Sequence, residues 1–184
     1  MVYVDAHSDC QTPEISMTGG VAGMPLAIAT GRAVEPLADL EGLKSYVRDE
    51  DVVLVGVRDL FDVESGDAPH VRDTGVRVHD LERVRRRGPA RLGAALAREM
   101  EEAGVDGFWV HLDADVLDER VMPAVDSPEP GGMSAEELSA LLAPILASPL
   151  AAGLQVTIYD PERDTDGQAA GVLVQVLAAA FGRL

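Results

Sequence analysis

The chain has 184 residues, 47% of them hydrophobic, enough to enclose one sizeable core. Its 32 acidic residues against 15 basic ones leave a formal net charge of −17, which repels nucleic acid and anionic membrane surfaces and excludes both as expected partners. No apolar stretch reaches membrane-span length, the start lacks the basic and apolar regions of a signal peptide, and the single cysteine, Cys10, permits no internal disulfide, so a cytoplasmic protein is expected.

The first strand is read over Val2 to Asp5 and runs straight into His7-Ser8-Asp9. Side chains two apart on an extended segment leave the same face, so Asp5, His7 and Asp9 can converge. Two carboxylates and an imidazole suit a borderline divalent cation such as manganese, zinc or iron(II), while the lack of thiolates argues against a structural zinc site. The competing reading is a polar strand end, with Asp9 turning the chain and His7 meeting a backbone carbonyl.

Leu37, Leu40, Leu43 and Val47 then follow a helical stripe. A second strand, Val52 to Val57, ends in Arg58-Asp59, and a short third runs from Val76 to Val78. Arg83, Arg85, Arg86 and Arg87, beside Gly88-Pro89, read as a solvated loop-to-helix connector. The helix after Pro89 carries Leu92, Ala95, Leu96, Met100 and Ala103 on one stripe. A fourth strand spans Phe108 to Asp113 and leads into Ala114-Asp115. Ser134-Ala135-Glu136-Glu137 is a capping-box start for a helix carrying Leu138, Leu141, Leu142 and Ile145. The fifth strand, Leu154 to Tyr159, ends in Asp160-Pro161-Glu162, and a last helix covers Ala169 to Phe181 with Gly182 as its stop.

Strands alternating with helices are the sequence form of a parallel sheet flanked by helices, here a three-layer α/β/α fold in a single domain, residues 1–184. Ligands in such sheets gather at the carboxyl ends of the strands, where four of these strands deliver acidic or imidazole groups. Asp113 and Asp115 repeat the spacing of two. If their strand neighbours the first, Asp5, His7, Asp9, Asp113 and Asp115 meet. Five such groups exceed one ion's needs, and bridging carboxylates suit a pair of divalent ions roughly 3.5–4 Å apart. Without cations, that many buried carboxylates would repel and take up protons.

The segments VDAHSD, TGGVAGMPLA, VGVRD, HLDADVLD and PAVDSPEPGGMSAEEL, in that order, resemble the ureohydrolase family, which includes arginase, agmatinase and formiminoglutamase. The resemblance implies an arginase-like fold and manganese-dependent hydrolysis of a linear carbon–nitrogen bond in a small cationic guanidino or amidino substrate. It implies that Asp5 and Asp113 bridge two manganese ions, that His7 and Asp115 serve one of them, and that Asp9 serves the other and acts as the catalytic residue orienting the nucleophile. Gln11 and Thr18 fall where family members contact the substrate's polar end. The GGMS turn reads as structural. Asp113-Ala114-Asp115-Val116 also resembles the nucleophile motif of haloacid-dehalogenase-type phosphatases, but the only lysine, Lys44, lies upstream, and DAHSD would be left without a role.

Several positions depart from the ureohydrolase pattern. The family's N-terminal GGDH-containing portion, whose histidine completes one metal site, is not in this sequence, so the fold is expected to be N-terminally shortened and one metal site weakened. Ala22 stands where a proton-shuttle histidine is usual, Ile158 where guanidine hydrolases place a glutamate, and Phe61 where an amino-group-binding acid often lies, while Asp59 is retained. The alternative reading is therefore a non-catalytic or truncated member that binds a divalent metal and acts as a regulatory or interaction protein. The strand from Leu154 to Tyr159 is expected at a sheet edge, needing a covering segment or a second subunit in a homo-oligomer.

Overall fold

Valine- and leucine-rich runs form the five strands of one sheet in a computed structural model whose described residues are 1–16, 18–58 and 71–182. The strands are β1 (Val2–Val4), β2 (Val53–Val55), β3 (Arg77–His79), β4 (Phe108–Asp113) and β5 (Ala151–Thr157). They lie in the order β3-β2-β1-β4-β5 and every neighbouring pair is parallel. The chain leaves β1 in one direction for β2 and β3, then returns to lay β4 on the other side of β1. That reversal opens a crevice at the carboxyl ends of β1 and β4, the place where ligands of such sheets bind.

The helices are α1 (Pro25–Ala29), α2 (Glu35–Ala38), α3 (Leu81–Arg87), α4 (Pro89–Glu102), α5 (Ala135–Leu146) and α6 (Gln168–Ala180). Alternation sends Val2, Val4, Val53, Val55, Val110 and Leu112 to one face, where they pack in a single buried cluster with Leu92 and Leu96 of α4, Leu138 and Leu142 of α5 and Leu173 of α6. On the opposite face Tyr3 and Leu54 meet Leu26 of α1 together with Val57 and Val71. Among the described residues no helix is long and apolar enough to cross a membrane.

Several expectations are met closely. Helix α5 begins with a complete capping box, Ser134 Oγ accepting from Glu137 N and Glu137 accepting from Ser134 N. The preceding GGMS turn is structural: a Cβ on Gly132 would sit 2.4 Å from the Leu117 carbonyl carbon, while Gly131 N donates to Asp118 at 2.7 Å. Strand β5 is the outer strand of the sheet among the described residues, as the edge expectation requires.

Other expectations are corrected. The stripe Leu37, Leu40, Leu43 and Val47 does not make a helix; the chain forms only the single turn α2 and a 3-10 turn, Leu40–Gly42, because Glu41 takes a positive φ of 59°. Leu37, Leu40 and Leu43 consequently stay exposed. The arginine cluster is helical rather than a connector: Asp80 caps α3, and Arg85 pairs with Glu137 at 3.0 Å and holds the Gly131 and Gly132 carbonyls. Strand β5 starts three residues early, at Ala151, and stops at Thr157 because Ile158 turns to a φ of 68°. Among the described residues no strand pairs with its outer edge, and none of its seven residues is fully buried.

The α4–α5 contact is tight enough to require a glycine. A Cβ on Gly93 would lie 2.2 Å from the Leu141 carbonyl oxygen and 2.8 Å from Pro144 Cγ. Gly93→Ala, which would favour an isolated helix, is therefore expected to destabilise the protein by about 1–3 kcal/mol through overpacking, measured by urea unfolding.

Candidate metal centre

Register alone brings the acidic groups together. Val4 of β1 pairs with Leu112 of β4, so the next residue on each strand, Asp5 and Asp113, emerges side by side at the crevice. One layer deeper, Tyr3 pairs with His111, and their rings stack with centroids 3.9 Å apart. Beyond β1 the backbone is pinned by Asp5 N donating to Val55 O and by Arg58 N donating to Ala6 O. Asp9 adopts a positive φ of 52°, a region that aspartate tolerates better than most residues.

Asp5, Asp9, Asp113 and Asp115 are buried, none more than 7% exposed, and His7 is half-buried beside them. His7 Nδ1 lies 3.0 Å from Asp115 Oδ2 and 3.7 Å from Asp5 Oδ1, while its Nε2 lies 3.7 Å from Glu129 Oε1. The remaining contacts orient the carboxylates. Asp5 Oδ1 accepts from His7 N at 2.7 Å, Asp113 Oδ1 accepts from Asp115 N at 3.0 Å, and Asp9 Oδ2 accepts from the Tyr3 hydroxyl at 2.7 Å. Arg58, through its guanidinium, holds the carbonyls of Asp115 and Val116, each at 3.1 Å.

Among the described residues two ligand groupings arise, and both contain Asp5. In Asp5, His7 and Asp115, and again in Asp5, His111 and Asp113, one donor atom from each residue falls within 4.8 Å of the others. Asp5 Oδ2 is fully buried and has no hydrogen-bond partner. An orphaned carboxylate oxygen amid oxygen and imidazole donors fits a divalent cation of borderline character, and no thiolate takes part.

The electrostatics carry the same message. Burial, compounded by the charges of Asp9, Asp113 and Asp115, pushes the Asp5 carboxyl well above its ordinary range. Burial also raises Asp113 to about 8, with Asp115 adding to it, and raises Asp9 to about 6 against the opposing pull of the Tyr3 hydrogen bond and His7. For Asp115, burial works upward but is outweighed by His7, and its carboxyl is held below the usual value. Burial lowers His111 to about 4.

A cavity of about 510 Å³ opens above these groups. Gln11 and Thr18 line it, as do Ala22 and Ile158, so the positions singled out in the sequence face the same space as Asp9, Asp113 and Asp115. Asp126, Ser127 and Glu129 line it as well and had no assigned role in the sequence reading. Asp160 is not among the lining residues; its side chain accepts from Glu162 N at 2.9 Å and caps the turn Pro161–Arg163. The last strand thus does not add an acid to the rim. Asp59 and Phe61 lie outside the described residues. Tyr3, His111 and Thr157 were also missed, although the spacing of two that marks Asp5 and Asp113 leads back to Tyr3 and His111.

The fold is that of a known enzyme family. The chain matches the family described as "Arginase family" over residues 1–182, and it belongs to that family. It is 29% identical to an arginase of Bacillus caldovelox over 182 residues, covering 99% of this chain and 60% of that protein. The crystal structure of arginase from Bacillus subtilis superposes with a TM-score of 0.85 at 27% identity, covering 100% of this chain and 63% of that one. Formimidoylglutamase from Bacillus subtilis, at 20% identity and a TM-score of 0.76, shares the fold. The chain spans about 60% of the length of the curated relatives it matches.

The raised carboxyls set a direction for stability. Asp9 and Asp113, at about 6 and about 8 when folded, contribute fully below the unfolded carboxylate value of about 3.9 and lose that contribution as pH climbs through the folded values. Asp115, depressed, acts oppositely and only at lower pH. Thermal unfolding in a chelator is therefore expected to show a falling melting temperature between pH 5 and pH 8 as an order-of-magnitude window. Asp5→Asn is expected to raise the melting temperature of the metal-free protein at alkaline pH and to abolish the rise expected of the wild type on adding a divalent cation.

Proposed function

We propose that this chain is a metal-dependent hydrolase of the ureohydrolase type, cleaving a carbon–nitrogen bond in a small cationic guanidino or amidino compound. The reading is supported above all by Asp5, whose unpartnered buried oxygen sits where both ligand groupings meet. Asp5, His7, Asp113 and Asp115 would hold the metal with Asp9, and manganese, as two ions, is the cofactor assigned through the family resemblance. Once bound, divalent cations supply Lewis acidity and a water of lowered pKa at neutral pH.

The protein's own residues do the rest. Asp9, on a fixed backbone turn with one oxygen held by Tyr3, lines the cavity and can take a proton from the nucleophile and pass it to the leaving nitrogen. Asp126 and Glu129 add negative charge to the wall, which favours a cationic substrate. Gln11, which packs against Gly23, and Thr18 both line the cavity, and the family resemblance assigns them to the substrate's polar end.

A second reading has its own observation. Ala22 and Ile158, which cannot carry a proton or pair with a guanidinium, both face the cavity. They favour a metal-binding family member that regulates or assembles instead of turning over substrate. Metal content and turnover separate the two. Two bound ions per chain together with urea or ammonia release from a guanidino and formimino panel, lost in Asp9→Asn by roughly 100-fold or more, are expected for the enzyme; a single ion without turnover would establish the binding protein.

A further inference from the structure

His111 offers a nitrogen to one of the two ligand groupings, yet its hydrogen bonds decide whether that nitrogen is available. On the sheet face shared with Tyr3 and Asp5, β4 presents Trp109, His111 and Asp113, and β5 places Gly153, Gln155 and Thr157 opposite them. A Cβ on Gly153 would fall 2.2 Å from Trp109 Cζ3, so only glycine lets the indole lie across β5 toward Gln155. Trp109 Nε1 is 3.1 Å from Gln155 Oε1, Gln155 Nε2 is 2.6 Å from His111 Nδ1, His111 Nε2 is 3.4 Å from Thr157 Oγ1, and Thr157 Oγ1 is 3.0 Å from Asp113 Oδ2.

The Trp109 end of this row can act in only one way. An indole N–H is a donor without acceptor capacity, so Gln155 must present its oxygen to Trp109 and its NH₂ to His111. His111 Nδ1 then accepts, and the proton of the neutral ring sits on Nε2. From the other end, Asp113 in the ionised form that a bound cation would favour only accepts. The single Thr157 proton goes to Asp113 in preference to the Leu112 carbonyl, which is farther away at 3.4 Å. That leaves a Thr157 lone pair for His111 Nε2–H. The Trp109 end fixes this tautomer by itself, and an ionised Asp113 agrees with it.

We infer that Trp109, Gln155, His111 and Thr157 form a one-directional hydrogen-bond chain that holds His111 as the Nε2–H tautomer, making it a positioning residue for Asp113 and not a metal ligand. To ligate through Nε2, His111 would have to move its proton to Nδ1 and turn the Gln155 amide, leaving two donors face to face at Trp109. The chain holds one Asp113 oxygen from β5 while Asp115 N holds the other, which sets the direction in which the remaining lone pairs point. The effect on metal binding rests on the metal centre proposed above; the His111 tautomer, set from the Trp109 end, does not.

The test is nitrogen NMR of the His111 ring in the metal-free full chain, with His111→Gln for assignment. The expected result is a proton on Nε2. Gln155→Glu, which replaces the amide donor by acceptors, is expected to move the proton to Nδ1. Zinc titration followed by calorimetry should show Thr157→Val binding roughly 10-fold more weakly than wild type, with Thr157→Ser restoring affinity. A wild-type proton on Nδ1, a coordination shift of a His111 ring nitrogen on adding zinc, or Thr157→Val binding zinc as tightly as wild type would overturn the inference. Failure of the wild type to bind any divalent ion would instead strike the metal reading, and the tautomer measurement would still decide the chain.

Discussion

The parallel pairing of β1 with β4 is the constraint from which the rest of the site follows. Once Val4 lies against Leu112, Asp5 and Asp113 must emerge together, and the short turns behind them add His7, Asp9 and Asp115 to the same crevice. Four buried carboxylates at one place are electrostatically untenable as free ions in a low-dielectric setting. The fold therefore builds a site that is under charge stress unless protons or cations enter it. The rigid helical layer of α4, α5 and α6 on the opposite face supplies the packing that holds the crevice in shape.

Two of the four non-glycine residues with positive φ among the described residues lie at the same rim. Asp9 and Ile158 both take positive φ values, 52° and 68°, and both line the cavity. Positive φ is unusual for any residue with a Cβ and an outlier for a β-branched one, and such conformations persist only where their surroundings over-determine them. Ile158 follows directly on β5, packs against the core and lines the cavity that Asp113 and Asp115 also line. The substitution that most changes the chemistry of the cavity, relative to the family pattern, thus also sits on its most strained backbone.

Much of this was legible in the sequence because strand geometry is simple arithmetic. A spacing of two placed Asp5 with His7 and Asp113 with Asp115, the strand-end rule placed them on one rim, and the Ser134 capping box fixed the start of α5. The failures have equally plain causes. The Leu37, Leu40 and Leu43 stripe has helical period but no element to pack on, so it stays exposed and breaks at Glu41. Tyr3 and His111 read as ordinary core positions, since their value lies in cross-strand stacking that needs the β1–β4 register. Glu129 and Asp126 come from a loop with no period at all, and only the folded chain shows that they reach the cavity.

Trp109 is the only tryptophan in the chain, and 44% of it remains exposed on the outer strand pair. Its indole is anchored at one edge by Gln155 and flattened over Gly153. The protein therefore carries a built-in optical reporter at the open end of its sheet. Its emission colour responds to whatever excludes water from that surface, and intrinsic fluorescence can follow the docking of a covering segment without any label.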